Sequence, residues 1–444
     1  MPEQNGLVGP KGNFLLGNFQ EFKKDELAFL TRCAQEYREI VPLRMLYLPI
    51  YLLLNANHVE YILVAQRQDF VKSRIYKLMN KLLGHGLGMS EGDFWLRQRR
   101  LMQPAFHRQR IDAYGQIMVN YTERMLSSWQ SGQILDIAQA MLSLNVEIVT
   151  KVLFNCDVND DSEGFGDAVG VVFRETATRL GNVVPIPESI PTPGNLRYLR
   201  AIEHLDELVY RIIQERRAKS EDRGDLLSML LHAQDEDGSG MTDLQLRDEM
   251  MGMLAAGFET NAVALSWTWY LLSQHPEVEA KVLVELESTL GGHPPTVASL
   301  ASLPYMDMVY TEALRLYPPG SLFGREAIKD FELGGHGFPA GTEFWISPWA
   351  LHHNPCYFDM PEEFRPERWE GDLIKRLPKF AYMPFSHGPR GCIGNVFATM
   401  EAKLILATVL QSFHLELASG QVVEPKYALT VRPKYGLQMV LTPR

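Results

Sequence analysis

The sequence predicts a mainly α-helical single domain with a small β region. Three features carry that expectation. Residues 242–274 form one long stretch that is apolar on most sides, which is the signature of a core helix. Period-two alternation of apolar residues is confined to short segments, chiefly 41–54 and 332–347. No internal repeat and no long linker divides the 444 residues.

Taken in order, residues 41–54 read as a two-stranded hairpin closed near Pro49. From His58 onward the pattern is mostly helical. Residues 71–90, with Gly84, Gly86 and Gly88, read as an irregular loop. Pro185, Pro187, Pro191 and Pro193 interrupt the middle of the chain between two amphipathic helices. Residues 235–240 form an acidic, glycine-containing surface loop. Thr242 and Gln245 have the spacing of a capping box, so the long helix should start there and run to about Gln274, roughly 50 Å at the standard rise. Residues 332–347 are punctuated by Gly and Pro and read as strands.

With 46% hydrophobic and 22% charged residues, the chain can build a sizeable core and needs no disordered tract. A formal net charge of -11 argues against general nucleic-acid binding. Cys33, Cys156, Cys356 and Cys392 are too scattered for a disulfide framework or a zinc module. The first three read as free thiols in a reducing compartment. Residues 1–17 have neither a basic n-region nor an apolar h-region, so no signal peptide is expected. No run reaches the roughly 18 apolar residues of a membrane span, so a cytoplasmic, soluble protein without a transmembrane anchor is expected. Whether the segment 183–198 touches a membrane surface is not legible.

The most specific segment is Phe385-Ser386-His387-Gly388-Pro389-Arg390-Gly391-Cys392-Ile393-Gly394. Taken alone, Cys392 is more economically a buried structural cysteine. Three further motifs precede it in order: Ala256-Gly257-Phe258-Glu259-Thr260, then Glu312-Ala313-Leu314-Arg315 with Tyr317-Pro318-Pro319, then Pro366-Glu367-Arg368-Trp369. Together they resemble the cytochrome P450 monooxygenases over nearly the whole chain, from about Gly9 onward. The resemblance implies one P450 haem domain over residues 1–444 with no fused reductase, and haem between the long central helix and the helix after the cysteine.

The resemblance also assigns the residues. Cys392 is the axial ligand of haem b, its thiolate favoured by the N-terminus of the following helix. Gly388 permits a tight turn below the porphyrin and Gly394 a close backbone approach. Phe385 shields the thiolate, and Arg390 faces a haem propionate. Trp95 and Arg99 resemble a W-x-x-x-R propionate clamp, and Arg325 matches another propionate position. Alone, Arg99 reads as a solvated cation beside Arg97 and Arg100. Ala256 cannot esterify haem as a glutamate there does in one branch, so the haem should be non-covalent. Thr260 and Glu259 resemble the acid–alcohol pair that protonates reduced dioxygen, O2 being the co-substrate. Alone, that pair reads as a threonine bonding its own helix carbonyl beside a solvated glutamate. Ala256-Gly257 should leave room for oxygen and allow a local helix distortion. Phe258 and Asn261 depart from the family's common residues and bear on the water network.

Glu312, Arg315 and Arg368 resemble the family's structural triad. Arg97, Arg100, Arg108 and Arg110 form either a docking patch for a ferredoxin or flavodoxin, itself reduced by an NAD(P)H reductase, or an ordinary charged helix. His352, His353 and Cys356 read as structural and not as a metal site. The expected pocket takes in Leu254, Ala255, Ala256, Leu322, Phe323, Leu429 and Thr430, with contributions from 71–90 and the helices around the prolines. The expected reaction inserts one oxygen atom into a lipophilic substrate, a fatty acid or a terpenoid, in a monomer. A partner-independent peroxygenase or isomerase and a haem-based sensor are the alternatives. Thr260 with Glu259 argues against the first, and the lack of a visible signalling module against the second.

Overall fold

The computed structural model describes residues 6–156, 164–181, 186–219, 222–371 and 373–444. Helices dominate. The longest, Asp243–Gln274, forms as expected: the Thr242 hydroxyl accepts the Gln245 N–H, and the Gln245 side chain accepts the Thr242 N–H in return. It is buried along most of its length. Helix Ile137–Phe154 packs along it, and Gly257 explains the close approach: a Cβ there would lie 3.2 Å from Val149. The central helix is continuous through Ala256 and Gly257, so no local distortion is seen there, and this glycine serves helix packing instead.

Helix Ile137–Phe154 is itself long and apolar enough to cross a membrane, contrary to the expectation from the sequence. More than half of it is buried in the core, where Ile137, Met141, Leu144 and Ile148 join one continuous cluster with residues of the central helix and of helix Asn395–Ser412.

The β region is centred on a five-stranded sheet in the order Ile40–Met45, Leu48–Leu53, Glu343–Ile346, Phe323–Ala327 and Phe70–Lys72. The hairpin turns at Leu46 and Tyr47, with Leu46 at φ 60°, and not near Pro49, which pairs with Arg44 inside the second strand. Residues 71–90 are more ordered than a loop. They comprise the end of strand Phe70–Lys72, a 3-10 segment Arg74–Met79 and a helical turn Asn80–Leu83, before the glycines. The strand-like reading of 332–347 holds, as the short pair Phe331–Leu333 and His336–Phe338 followed by Glu343–Ile346.

The proline-broken middle lies between helices Phe165–Gly181 and Pro193–Lys219, with Pro193 opening the second. Pro185 lies outside the described residues. Arg97 and Arg100 pair with Asp235 (3.0 Å) and Glu236 (2.9 Å) of the acidic loop. The side chains of Arg108 and Arg110 lie outside the described residues.

Candidate active site

The cysteine loop is a chain of local turns. Ser386 N–H donates to Met383, Gly391 N–H to Gly388 and Cys392 N–H to Phe385. Gly388 takes φ 79°, a conformation that a side chain would strain. Helix Asn395–Ser412 begins three residues after Cys392, with Gly394 as its cap. The Gly394 N–H points at the Cys392 sulfur. Burial pushes the thiol up from its ordinary value, while that N–H and Arg99 act in the opposite sense.

This loop forms one wall of a cavity of about 620 Å³, whose opposite wall is the central helix. Cys392, Phe385, Arg390 and Gly394 line one side, and Ala255, Ala256, Glu259 and Thr260 the other. Phe323, Leu429 and Thr430 line it as expected. Leu254 and Leu322 do not. Leu254 is one step off the cavity-facing stripe of the helix and is buried in the core. Leu322 precedes Phe323, so strand alternation turns it to the opposite side, against the cluster around Trp267 and Trp349.

Four cations gather on this cavity. Arg99 donates to the Gly391 carbonyl at 3.0 Å. Arg390 lies 4.3 Å from the centre of the Trp95 ring, donates to the Ser90 carbonyl and pairs with Glu91. Arg325 is buried and donates to the carbonyl of Gly324. Burial lowers Arg325, Arg99 and Arg390 from the usual guanidinium value. Lys72, which sequence reasoning missed, is pushed down to about 7, first by burial and then by Arg390, while Glu91 opposes the shift. Buried and half-buried cations that outnumber their carboxylates make a site that is short of anionic charge. A cradle of Lys72, Arg99, Arg325 and Arg390 beside an available sulfur fits a flat, dianionic haem.

Thr260 and Glu259 stand apart in their bonding. The Thr260 hydroxyl donates to the Ala256 carbonyl at 2.7 Å, the simpler of the two readings, which leaves its oxygen free to accept from the cavity. Glu259 accepts the Thr430 hydroxyl at 2.9 Å, and burial raises its carboxyl above the usual range. Phe258 is buried in the core and does not line the cavity. Asn261 holds Glu401: its amide donates to that carboxyl at 2.8 Å, while Tyr310 donates to the Asn261 oxygen at 3.3 Å.

The loop is held from behind. Glu312 and Arg315, both fully buried, meet in two 2.9 Å hydrogen bonds. Arg368 adds 2.8 Å to Glu312, as does the Trp369 indole N–H. Arg315 also donates to the carbonyls of His352, Pro361 and Glu363. His352 is fully buried and held neutral. Its Nε2 accepts the Met383 N–H at 2.9 Å, and Nδ1 faces the Arg315 carbonyl at 3.1 Å, so the ring ties the triad to the segment leading into the cysteine loop. No cluster of three or more metal-binding side chains occurs among the described residues.

Comparison with known proteins agrees with this geometry. The family model described as Cytochrome P450 matches residues 8–441. The cyclooctat-9-en-7-ol 5-monooxygenase of Streptomyces melanosporofaciens is 37% identical, over 94% of this chain and 92% of its own. The cyclooctatin synthase of the same organism is 33% identical, over 98% and 95%. The pentalenene oxygenase of Streptomyces avermitilis is 34% identical, over 83% and 82%. A crystal structure of the cytochrome P450DA haem domain superposes with a TM-score of 0.89 at 26% identity, covering 99% of this chain and 98% of that one. On the whole-chain match and the cysteine loop together, the chain belongs to the cytochrome P450 family and is a haem-thiolate monooxygenase that uses dioxygen.

Proposed function

We propose that this monooxygenase hydroxylates or epoxidises a terpenoid. Its electrons would come from a separate ferredoxin or flavodoxin with an NAD(P)H reductase, and it would work as a cytoplasmic monomer of one haem domain. The observation that carries the substrate reading is the cavity itself, largely apolar and reaching from residues 82–88 to Cys392. The names of the bacterial relatives supply the terpenoid class. A fatty acid fits less well. Away from the haem cradle the cavity presents a carboxyl, Glu249, which would repel a carboxylate head group.

Haem bound in the cradle supplies the activation of dioxygen, one atom of which enters the substrate while the other leaves as water. The chain's own residues do the rest. Cys392 presents its sulfur under the Gly394 N–H, and Lys72, Arg99, Arg325 and Arg390 would hold the haem propionates. Ala256 adds little bulk to the cavity wall opposite Cys392. Thr260 turns its hydroxyl from Ala256 into the cavity to hold a proton or a water. Glu259, steadied by Thr430, passes the proton on. With Arg97 and Arg100 paired to the acidic loop, docking of the electron donor would draw on other surface cations as well.

The test is a spin-state titration of the haem-loaded protein against cyclic terpenes and saturated fatty acids. Turnover under isotopically labelled dioxygen would follow, with a ferredoxin and its reductase present. A terpenoid that shifts the spectrum and gains one labelled oxygen is the expected result. A response to fatty acids alone would overturn the substrate class.

A further inference from the structure

The central helix presents one stripe to the cavity: Glu249, Met253, Ala256 and Thr260, spaced by four, three and four residues. Eleven residues separate its ends, about 16 Å at the helical rise. Thr260 marks the oxygen end. Glu249, the other end, is 2% exposed. One of its oxygens accepts the Leu87 N–H at 2.9 Å, and the other has no hydrogen-bond partner among the described residues. The adjacent Asp248 shows that a satisfied carboxylate is attainable here, since it accepts the His85 N–H and pairs with Arg247, which also pairs with Asp206.

A buried carboxyl oxygen without a donor is costly in an apolar setting, and the setting here is Leu82, Leu83, Leu87 and Met253. We propose that Glu249 is a specificity-determining residue whose free oxygen receives a hydroxyl of the substrate, so that the enzyme acts on an already oxygenated lipophile. This deepens the reading of a terpenoid substrate and rests on it. A hydroxyl held at Glu249 places carbons of the same skeleton along the stripe, towards Ala256 and Thr260, so one anchor sets which carbon reaches the oxygen. Burial raises the Glu249 carboxyl to about 7, with Leu87 N–H opposing and Asp248 adding to the shift. Above that pH the group is an anion that only accepts, and it discriminates donors from non-donors.

The bland alternative is a latch. Asp248 and Glu249 cap the amides of His85 and Leu87, and Glu249 would then serve only to hold the glycine-rich turn over the cavity. The two roles separate by substitution. Glu249→Gln keeps an oxygen for Leu87 but offers an N–H to the cavity, which an alcohol or an ether accepts equally.

The experiment is spin-state titration of the haem-loaded full chain at pH 8 with two matched pairs: geranylgeraniol and its methyl ether, and 1-dodecanol and its methyl ether. The wild type should bind an alcohol about tenfold more tightly than its ether, the effect of one hydrogen bond to a charged acceptor. Glu249→Gln should bring the members of each pair close together. Glu249→Leu should weaken the alcohol and leave the ether unchanged. Equal binding of alcohol and ether by the wild type overturns the proposal, as does a preference that survives in Glu249→Gln. If the dodecyl pair shows the preference and the geranylgeranyl pair gives no spectral change, the anchor stands and the terpenoid reading falls.

Discussion

Lys72 and Arg325 face each other across antiparallel strands, as Cα partners in register, and both line the cavity beside Cys392. Pairing a lysine with an arginine directly across a ladder is unfavourable without an anion between them. Among the described residues the one carboxylate paired with Lys72 is Glu91, at 3.7 Å and also paired with Arg390. The pair therefore reads as half of an anion site, completed by a propionate. Lys72→Met should speed haem transfer to an apomyoglobin acceptor by about tenfold, the size of one lost charge-assisted contact. A transfer rate equal to wild type would remove Lys72 from the cradle.

Glu312 supplies both oxygens to a fork with Arg315 and also accepts from Arg368, Trp369 and the Arg365 N–H. Replacing it with Leu strands two arginine charges beside carbonyls, and Arg315 has no solvent to retreat to. Breaking one side of such a pair costs about 3–5 kcal/mol. Glu312→Leu should show a lower urea midpoint and low haem content, because His352 and Met383 transmit the disorder to the cysteine loop. Full haem loading with wild-type stability would contradict the triad's role.

Glu401 is buried, and one of its oxygens has no partner among the described residues. Burial raises its carboxyl to about 8, with Asn261 opposing. The unfolded group titrates at about 4.3. Between those values the folded state binds the extra proton, so stability falls as pH rises through the window, by up to about 1.4 kcal/mol per unit. Glu401→Gln removes the dependence and keeps the bond with Asn261. The difference in urea stability between variant and wild type should therefore grow in the variant's favour from pH 5 to pH 8. A constant difference would mean that Glu401 is ionised in the native state throughout.

What was legible in the sequence follows from how local each feature is. The capping box, the central helix and the Glu312–Arg315 spacing are set within one turn of helix, and all three are present. The cysteine loop is local too. Phase was harder: Leu254 and Leu322 each missed the cavity by one position, because a neighbour on a helix or strand points elsewhere. Lys72 was invisible because its place depends on register with a strand about 250 residues away. The pairing of Arg97 and Arg100 with the acidic loop spans about 140 residues, so it too was not legible in the sequence.

Thr430 donates to Glu259, and that bond joins the terminal hairpin to the central helix beside Thr260. It gives the acid–alcohol pair a testable asymmetry. Among the described residues the Thr260 hydroxyl bonds within its own helix, so Thr260→Ala should leave folding and haem content intact while electrons are diverted to hydrogen peroxide. Glu259 carries the raised carboxyl, so Glu259→Gln removes the group that exchanges a proton. Product formation should then fall by about 10²-fold, the lower end for a positioned acid. Thr430→Val should act in the same sense but more weakly, since it unties Glu259 without removing it. It takes away a hydrogen bond that stabilises the carboxylate, so the Glu259 carboxyl should rise further and the pH profile of turnover should move to higher pH. The measurement is product formed per NAD(P)H consumed, followed across pH for the three variants. Unchanged coupling in Thr260→Ala, or an unmoved profile in Thr430→Val, would show that protons reach the cavity by another route.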